Sequence, residues 1–518
     1  MRHILAIDAG TGSGRAILFD ETGRQLAAVG REWFHKAEPG HPGSMTFDRE
    51  ANWAALVACV REASAQVADL NIVAVTTSSM REGIVVYDEA GGEMWACANV
   101  DARAVQEVKD LRATEDGIER RLYLRSGQTF ALGAAPRLLW LKRHAPAIYD
   151  RIAAVAMLSD WVAHRLGAPI RLDPSNGGTT GLFNLETRDW DPELVAACGL
   201  SPAVASAPVS ETGSVIGEVS ATAAAETGLK AGLPVVMGGG DVQLGVLGVG
   251  AVLPGQAVVL GGTFWQQLVN LDRPLSDPSG RIRMNFAALP GMWQAEAIVF
   301  FPGLAARWFR DAICPDLTAE ARAAGLDPYS ALEALAAGAP VGAHGITPIF
   351  SDAMDYAHWR HAAPSFLNLS IDPSVASRGA MFRALQENAA IVTLANLKRI
   401  AAVTGVFPSD VIFASGASKG PLWCQILSDV LQIPVQTRVV KEATALGAAM
   451  SAGVGVGLFP TIQAAAATWV QPETRYDPNP NHADVYRQAF ERWSAAYPAQ
   501  LSLADTGVTT AMWRAPGE

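Results

Sequence analysis

The chain has 518 residues, of which 50% are hydrophobic and 18% charged, with 48 glycines and 30 prolines. At about 150 residues per domain this length suits two large or three ordinary domains, and the apolar content argues against both a disordered chain and a small disulfide scaffold. The formal net charge of −11 repels a polynucleotide backbone, so nucleic acid is not expected as a partner.

Cys59, Cys97, Cys198, Cys314 and Cys424 are odd in number and never form a C-x-x-C pair. They indicate neither a disulfide framework nor a thiolate metal site, and a reducing cytoplasm fits best. Asp8 interrupts what would have to be the apolar core of a signal peptide, so secretion is not expected. Residues 242–271 and 443–472 carry no charge. Both are broken by glycines and by Pro254 or Pro460, and read as buried core rather than membrane spans.

In chain order, Ile4 to Ile7 is a short apolar run that ends in Asp8-Ala9-Gly10-Thr11-Gly12-Ser13-Gly14 and resumes as Arg15 to Phe19. This reads as strand, glycine-rich turn, strand. Residues 54–68 have the period of an amphipathic helix, 72–77 of a strand, and 138–141 lie on a helix after Pro136. Leu233 to Met237 is a strand running into Gly238-Gly239-Gly240-Asp241, which opens a helix. Val258 to Leu260, Gly261-Gly262-Thr263 and Phe264 to Leu271 then repeat the opening pattern, so Gly10-Thr11 and Gly262-Thr263 are counterparts in two related halves. Residues 383–401 read as helix, 411–413 as strand and 422–431 as helix. Residues 474–483 read as a connector to a terminal helix from near Val485. The class is α/β, with a domain of residues 1–248, a second of residues 249–518 and a cleft between them.

Phosphate oxygens need converging donors with no side chains in the way, and glycine-rich turns supply successive backbone N–H groups. Neither turn fits a P-loop, and the glycines at 10, 12 and 14 miss the dinucleotide pattern. Asp8, at the end of the first strand, either holds magnesium or caps its own turn. Asp241, at a strand-to-helix junction, either caps the helix or accepts the proton of a substrate hydroxyl. His358 and His361 have no third ligand at helical spacing, so a zinc site is disfavoured.

Asp8 to Thr11 with Arg15, the Gly262-Thr263 turn, Gly240-Asp241 and Glu442 to Gly447 together resemble the FGGY carbohydrate kinases, from residue 4 to about residue 500. The resemblance implies the two-domain actin-like, hexokinase-like (ribonuclease H-like) ATPase fold with a central interdomain cleft. It also implies an enzyme that transfers a phosphoryl group from ATP, with Mg2+, to an alcohol. By that resemblance Asp8 helps hold magnesium, Gly10, Thr11 and Arg15 meet one part of the phosphate chain, and Gly262 and Thr263 meet another. Gly416 and Ala417 meet the nucleotide, and Asp241 is the base. Arg81 with Glu82, and Asp101 with Arg103, resemble acceptor-binding groups, although a plain ion pair explains each equally well. Phe264 stands where many relatives carry Ser, so one hydroxyl contact is missing.

Ser79 to Ile84, Trp95 to Arg103, Gly262 to Gln267, Phe350 to Asp352, His361 to Phe366 and Glu387 to Ala390 resemble one branch of that family in particular. That branch implies phosphorylation of linear 4,5-dihydroxypentane-2,3-dione on its terminal hydroxyl. The alternatives are another small polyol or ketose such as xylulose, ribulose or glycerol, or a nucleotide-driven regulatory protein on the same fold. Family analogy alone suggests a phosphotransferase-system carrier protein as a regulator, and the oligomeric state stays open.

Overall fold

The computed structural model describes residues 1–440, 442–515 and 517. Its architecture is two twisted mixed sheets, each flanked by helices. The first sheet runs Val215–Glu218, Pro234–Gly240, Ile72–Ser79, His3–Ala9, Ser13–Asp20, Gln25–Glu32. The second runs Arg283–Phe286, Trp293–Phe300, Trp265–Leu271, Ala257–Gly261, Val411–Ala414, Val435–Arg438, Pro472–Tyr476.

The duplication read from two glycine-threonine turns extends to every strand pairing of the first sheet. His3–Ala9 pairs antiparallel with Ser13–Asp20 and parallel with Ile72–Ser79. Ala257–Gly261 likewise pairs antiparallel with Trp265–Leu271 and parallel with Val411–Ala414. The outer pairs correspond too: antiparallel beyond the hairpin and parallel, then antiparallel, on the other side. The central strands are buried on both faces, which explains why they read as short continuous apolar runs rather than alternating ones.

Helices Asp241–Gly248 and Ala443–Gly455, one from each half, cross at the centre of the molecule. A Cβ on Gly248 would overlap the carbonyl of Ala443, and one on Gly447 would overlap that of Leu244. Only glycine permits two helix backbones to approach this closely, so these two positions set the distance between the halves. Arg15 reaches Glu442 across the same boundary at 2.9 Å.

Helices Arg49–Ala65, Ala134–His144, Arg378–Thr404 and Pro421–Leu431 lie where the periodicity predicts. The first begins five residues earlier than its apolar pattern, because the Asp48 side chain caps it by accepting from the Ala51 N–H. The expected connector at 474–483 is in part a strand, since Pro472–Tyr476 forms the sheet edge against Val435–Arg438 before the terminal helix Ala483–Asp505. Its exposed, charged sequence hides it from a hydrophobic count. The two uncharged stretches contain helices Asp241–Gly248, Ala443–Gly455 and Ile462–Trp469 and the second-sheet hairpin. Among the described residues no helix is long and apolar enough to cross a membrane.

Candidate active site

In both hairpin turns the glycine before the threonine donates its N–H to a carbonyl within the turn. The Gly10 N–H donates to the Ser13 carbonyl at 3.0 Å, and the Gly262 N–H to the Phe264 carbonyl at 3.0 Å. Among the described residues the Thr11, Gly12 and Thr263 N–H groups make no hydrogen bond. The carbonyls of Gly10 and Thr11 are instead taken by the Trp33 indole N–H at 3.1 and 3.3 Å, and Thr11 also by His35 Nε2 at 2.7 Å. Acceptors are thereby occupied while donors stay available, the polarity an anion needs. None of Gly10, Gly12, Gly14, Gly261 and Gly262 has a positive φ, so their role here is room rather than left-handed geometry. A Cβ on Gly12 would meet nothing within 4 Å, whereas one on Gly14 would lie 2.5 Å from the Trp33 ring.

Gly262 and Thr263 open into a cavity of about 490 Å³ whose walls include Arg307, Glu333, Gln386, Gly416, Ala417, Lys419 and Trp423. The structure therefore unites the second turn with the Ser415 to Gly420 segment, 150 residues later. Gly416 to Lys419 is a single 3-10 turn between strand Val411–Ala414 and helix Pro421–Leu431. Gly303 packs so tightly beneath Gly262 that a Cβ there would overlap its carbonyl. Sequence reasoning missed Arg307 and Glu333, which lie on helices Pro302–Trp308 and Pro328–Ala337 with no motif around them.

Asp8 and Asp241 stand at the carboxyl ends of parallel strands, where open α/β sheets place their sites. Ser78, opposite Asp8 in register, donates its hydroxyl to Asp8 Oδ1 at 2.6 Å. Burial raises the Asp8 carboxyl above its ordinary value against the pull of that hydrogen bond and of Arg15. Asp241 is half-buried at the first turn of its helix, its Oδ1 accepting from the Val242 N–H at 2.8 Å. The Thr444 hydroxyl of the opposing half donates to the Asp241 carbonyl at 2.9 Å. Burial pushes the Asp241 carboxyl up to about 7; Arg81 opposes the shift, and the nearby negative charges of Asp8 and Glu82 add to it. A carboxylate with that value accepts a proton at neutral pH more readily than an ordinary aspartate.

Arg81 and Glu82 follow strand Ile72–Ser79, and Glu82 has a left-handed backbone with φ of 62°. Arg81 donates both guanidinium arms to Glu296 at 2.6 and 2.9 Å, and Glu82 meets Arg283 at 2.7 Å. Burial works against the Arg81 charge, but Glu296 and Glu82 outweigh it and hold the group protonated. Asp101 and Arg103 are placed differently. The Arg103 side chain is 0% exposed, pairs with Asp101 at 2.8 Å and with Glu38 at 2.7 Å, and lies between the rings of Trp95 and Trp140. Its side chain has no exposed surface, and Trp95 serves as its cation–π partner. The buried Arg137 guanidinium donates to the carbonyls of Glu82, Asn99 and Asp101, tying that pair to the Arg81 loop.

Trp265 is wholly buried against Phe413 and Trp423, as core, while Phe264 packs on Phe300 and Phe301. His358 and His361 each pair with an aspartate of their own, Asp355 and Asp352. Cys97 is buried, and burial pushes its thiol up to about 12.

The arrangement combines donor-rich turns and a cavity of about 490 Å³ with buried carboxylates and paired cations. Comparison with known proteins agrees with it. The model of the FGGY family of carbohydrate kinases matches with its N-terminal domain at residues 3–248 and its C-terminal domain at residues 259–456. A protein of Photorhabdus laumondii subsp. laumondii named autoinducer-2 kinase is 52% identical over 100% of this chain and 98% of its own length. One of Salmonella paratyphi A with the same name is 51% identical over 99% of this chain and 98% of its own. Among solved structures, xylulose kinase from Rhodospirillum rubrum superposes with a TM-score of 0.85 at 26% identity, covering 98% of this chain and 100% of that one. Plasmodium falciparum glycerol kinase with ADP gives 0.84 at 18% identity, over 96% and 98%, a likeness of fold alone. Both family domains and full-length relatives thus place the chain in the FGGY family of carbohydrate kinases.

Proposed function

We propose that this chain phosphorylates autoinducer-2 in its linear form, 4,5-dihydroxypentane-2,3-dione, on the terminal hydroxyl, using ATP and Mg2+ in the cytoplasm. The observation that carries the acceptor is the 52% identity, over the whole chain, with proteins named autoinducer-2 kinase. The geometry supplies the roles. Gly262, Thr263, Gly416 and Ala417 border the cavity that would take the nucleotide, and Gly10 and Thr11 face the phosphate chain from the other half. Arg15 joins them once it leaves Glu442. The halves 1–248 and 249–518 close on both substrates and exclude water, which would otherwise compete as acceptor.

Arg81 offers N–H donors to the two carbonyl groups of the dione, and Glu82 accepts from its hydroxyls. The terminal hydroxyl oxygen forms a bond to the γ-phosphorus as the bond to the β,γ-bridging oxygen breaks, releasing ADP, and the hydroxyl proton passes to Asp241 late in the step. Asp8 fits a magnesium role. Its Oδ1 carries one hydrogen bond, and a single carboxylate with water and phosphate oxygens is a usual way to hold such an ion. When bound, that ion neutralises charge on the phosphate oxygens. Asp101 and Arg103 bear on the acceptor by shaping the loop beneath Glu82. ADP release measured with dihydroxypentanedione, xylulose, ribulose and glycerol tests the proposal. The highest kcat/KM is expected for dihydroxypentanedione, and a higher value for any other acceptor overturns it.

A further inference from the structure

The Glu82 backbone is held within its own half by Thr179 and Arg137, but the shortest side-chain ion pairs of Arg81 and Glu82 reach into the other half. Their partners, Glu296 and Arg283, belong to neighbouring strands Trp293–Phe300 and Arg283–Phe286 of the second sheet, where the two residues stand directly opposite each other in register. The four side chains form a cluster of alternating charge, open between Arg283 and Glu296. Arg81 meets Glu296 at 2.6 Å, Arg283 meets Glu82 at 2.7 Å and Glu82 approaches Arg81 at 4.0 Å. Asn285 donates to Glu296, and Arg283 Nε donates to Gln128 Oε1 at 2.7 Å. Glu296 is 0% exposed and Arg283 2%.

As stabilisers these pairs are a poor choice. Apolar residues at buried ion-pair positions are often neutral or favourable for folding, and the rest of Trp293–Phe300 is largely apolar. The cluster does supply orientation. An arginine gripped at both arms by one carboxylate keeps a single guanidinium plane, so the N–H groups that Glu296 does not take are held in fixed directions, near enough to Asp241 for the two charges to act on each other. Glu82, with its left-handed backbone, meets Arg283 through a single ion-pair contact.

We infer that Glu296 and Arg283 are positioning residues for phosphoryl transfer, reaching across from the second half to fix Arg81 and Glu82 in the pose that receives the acceptor's carbonyl and hydroxyl groups. The inference rests on the reading of Arg81 and Glu82 as acceptor-binding. The cluster also carries no net charge, so it keeps no spare cation for a carboxylate and favours an uncharged acceptor.

The test compares Glu296→Gln, which keeps shape and removes charge, with Glu296→Asp, which keeps charge. Steady-state kinetics use whichever of dihydroxypentanedione, xylulose, ribulose and glycerol the parent prefers, and nucleotide binding is followed separately by calorimetry with ADP. Glu296→Gln is expected to raise the acceptor KM about tenfold, with ATP KM and ADP affinity within about twofold, and Glu296→Asp to restore most of the loss. The acid limb of the pH profile should also move to lower pH. Removing a negative charge beside Arg81 strengthens the cation's effect on Asp241, while the other charged groups acting on that carboxylate, Asp8 and Glu82, are unchanged. Should Glu296→Gln not fold, Arg283→Met against Arg283→Lys is expected to give the same split through Glu82. Equal changes in acceptor and ATP KM, or an unchanged acceptor KM, would overturn the inference. A parent that prefers another acceptor overturns the dihydroxypentanedione assignment instead and leaves this comparison readable.

Discussion

The turns at Gly10-Thr11 and Gly262-Thr263 have the same strand pairing and the same unused threonine N–H, yet their surroundings differ. The first is braced from outside by Trp33 and His35, stands beside Asp8 and is open to the cleft. The second lines a closed-in cavity with Gly416 and Trp423 above packed aromatic core. One duplicated unit thus serves two tasks. In the proposed reaction the second half carries the walls for the nucleotide, and the first carries the ionisable groups for chemistry at the phosphate tip. Duplication gives convergent donors, and divergence around the turns gives direction to the transfer.

The largest effect that would test this division is at Asp241. Asp241→Asn is expected to lower kcat by about a thousandfold, the range for removing a general base, with ADP affinity unchanged by calorimetry. Loss of ADP binding would put the residue in the nucleotide end instead. Parent activity should rise as pH passes through about 7, where the carboxyl ionises. Linkage gives a second readout. The folded carboxyl keeps its proton up to about 7, whereas the unfolded one releases it near 3.8. The stability it contributes is therefore present below the unfolded value and lost as pH rises through the folded one. Asp241→Asn should then melt above the parent at pH 8 and converge with it at pH 4.

A smaller effect separates the glycines of the first turn. Gly14→Ala forces a methyl against Trp33 at 2.5 Å and Leu56 at 2.6 Å, and overpacking of this kind destabilises by about 1–3 kcal/mol in chemical denaturation. Gly12→Ala meets nothing, so stability should hold while the ATP KM rises if a phosphate passes close to that position. The smallest effect is at Thr444→Val, which removes the 2.9 Å hydrogen bond to the Asp241 carbonyl. A loss of about 1 kcal/mol in stability is expected, with a severalfold drop in kcat and little change in ATP KM.

Much of this was legible in the residues. The paired turns, Asp8, and Asp241 at a strand-to-helix junction are signalled by local order, because a glycine run between apolar segments fixes both the turn and what stands beside it. Contacts made across hundreds of residues were not legible. Glu296 is one acid in an apolar strand, a sign of an unusual partner, but nothing nearby names Arg81 as that partner. The sequence likewise leaves Asp101 and Arg103 balanced between acceptor binding and a plain ion pair, and only packing reveals the two tryptophan rings that enclose the arginine. The edge strand at Pro472–Tyr476 is exposed along most of its length, so burial leaves no periodic trace in it.

The central claim is that both turns bind the same triphosphate while Asp241 faces its end. A crystal structure with a nonhydrolysable ATP analogue and the preferred acceptor tests it most directly. The account predicts the γ-phosphate between Thr11 and Thr263, with the acceptor hydroxyl within hydrogen-bond reach of the Asp241 carboxylate. A phosphate chain seated away from either turn, or an acceptor remote from Asp241, would contradict it.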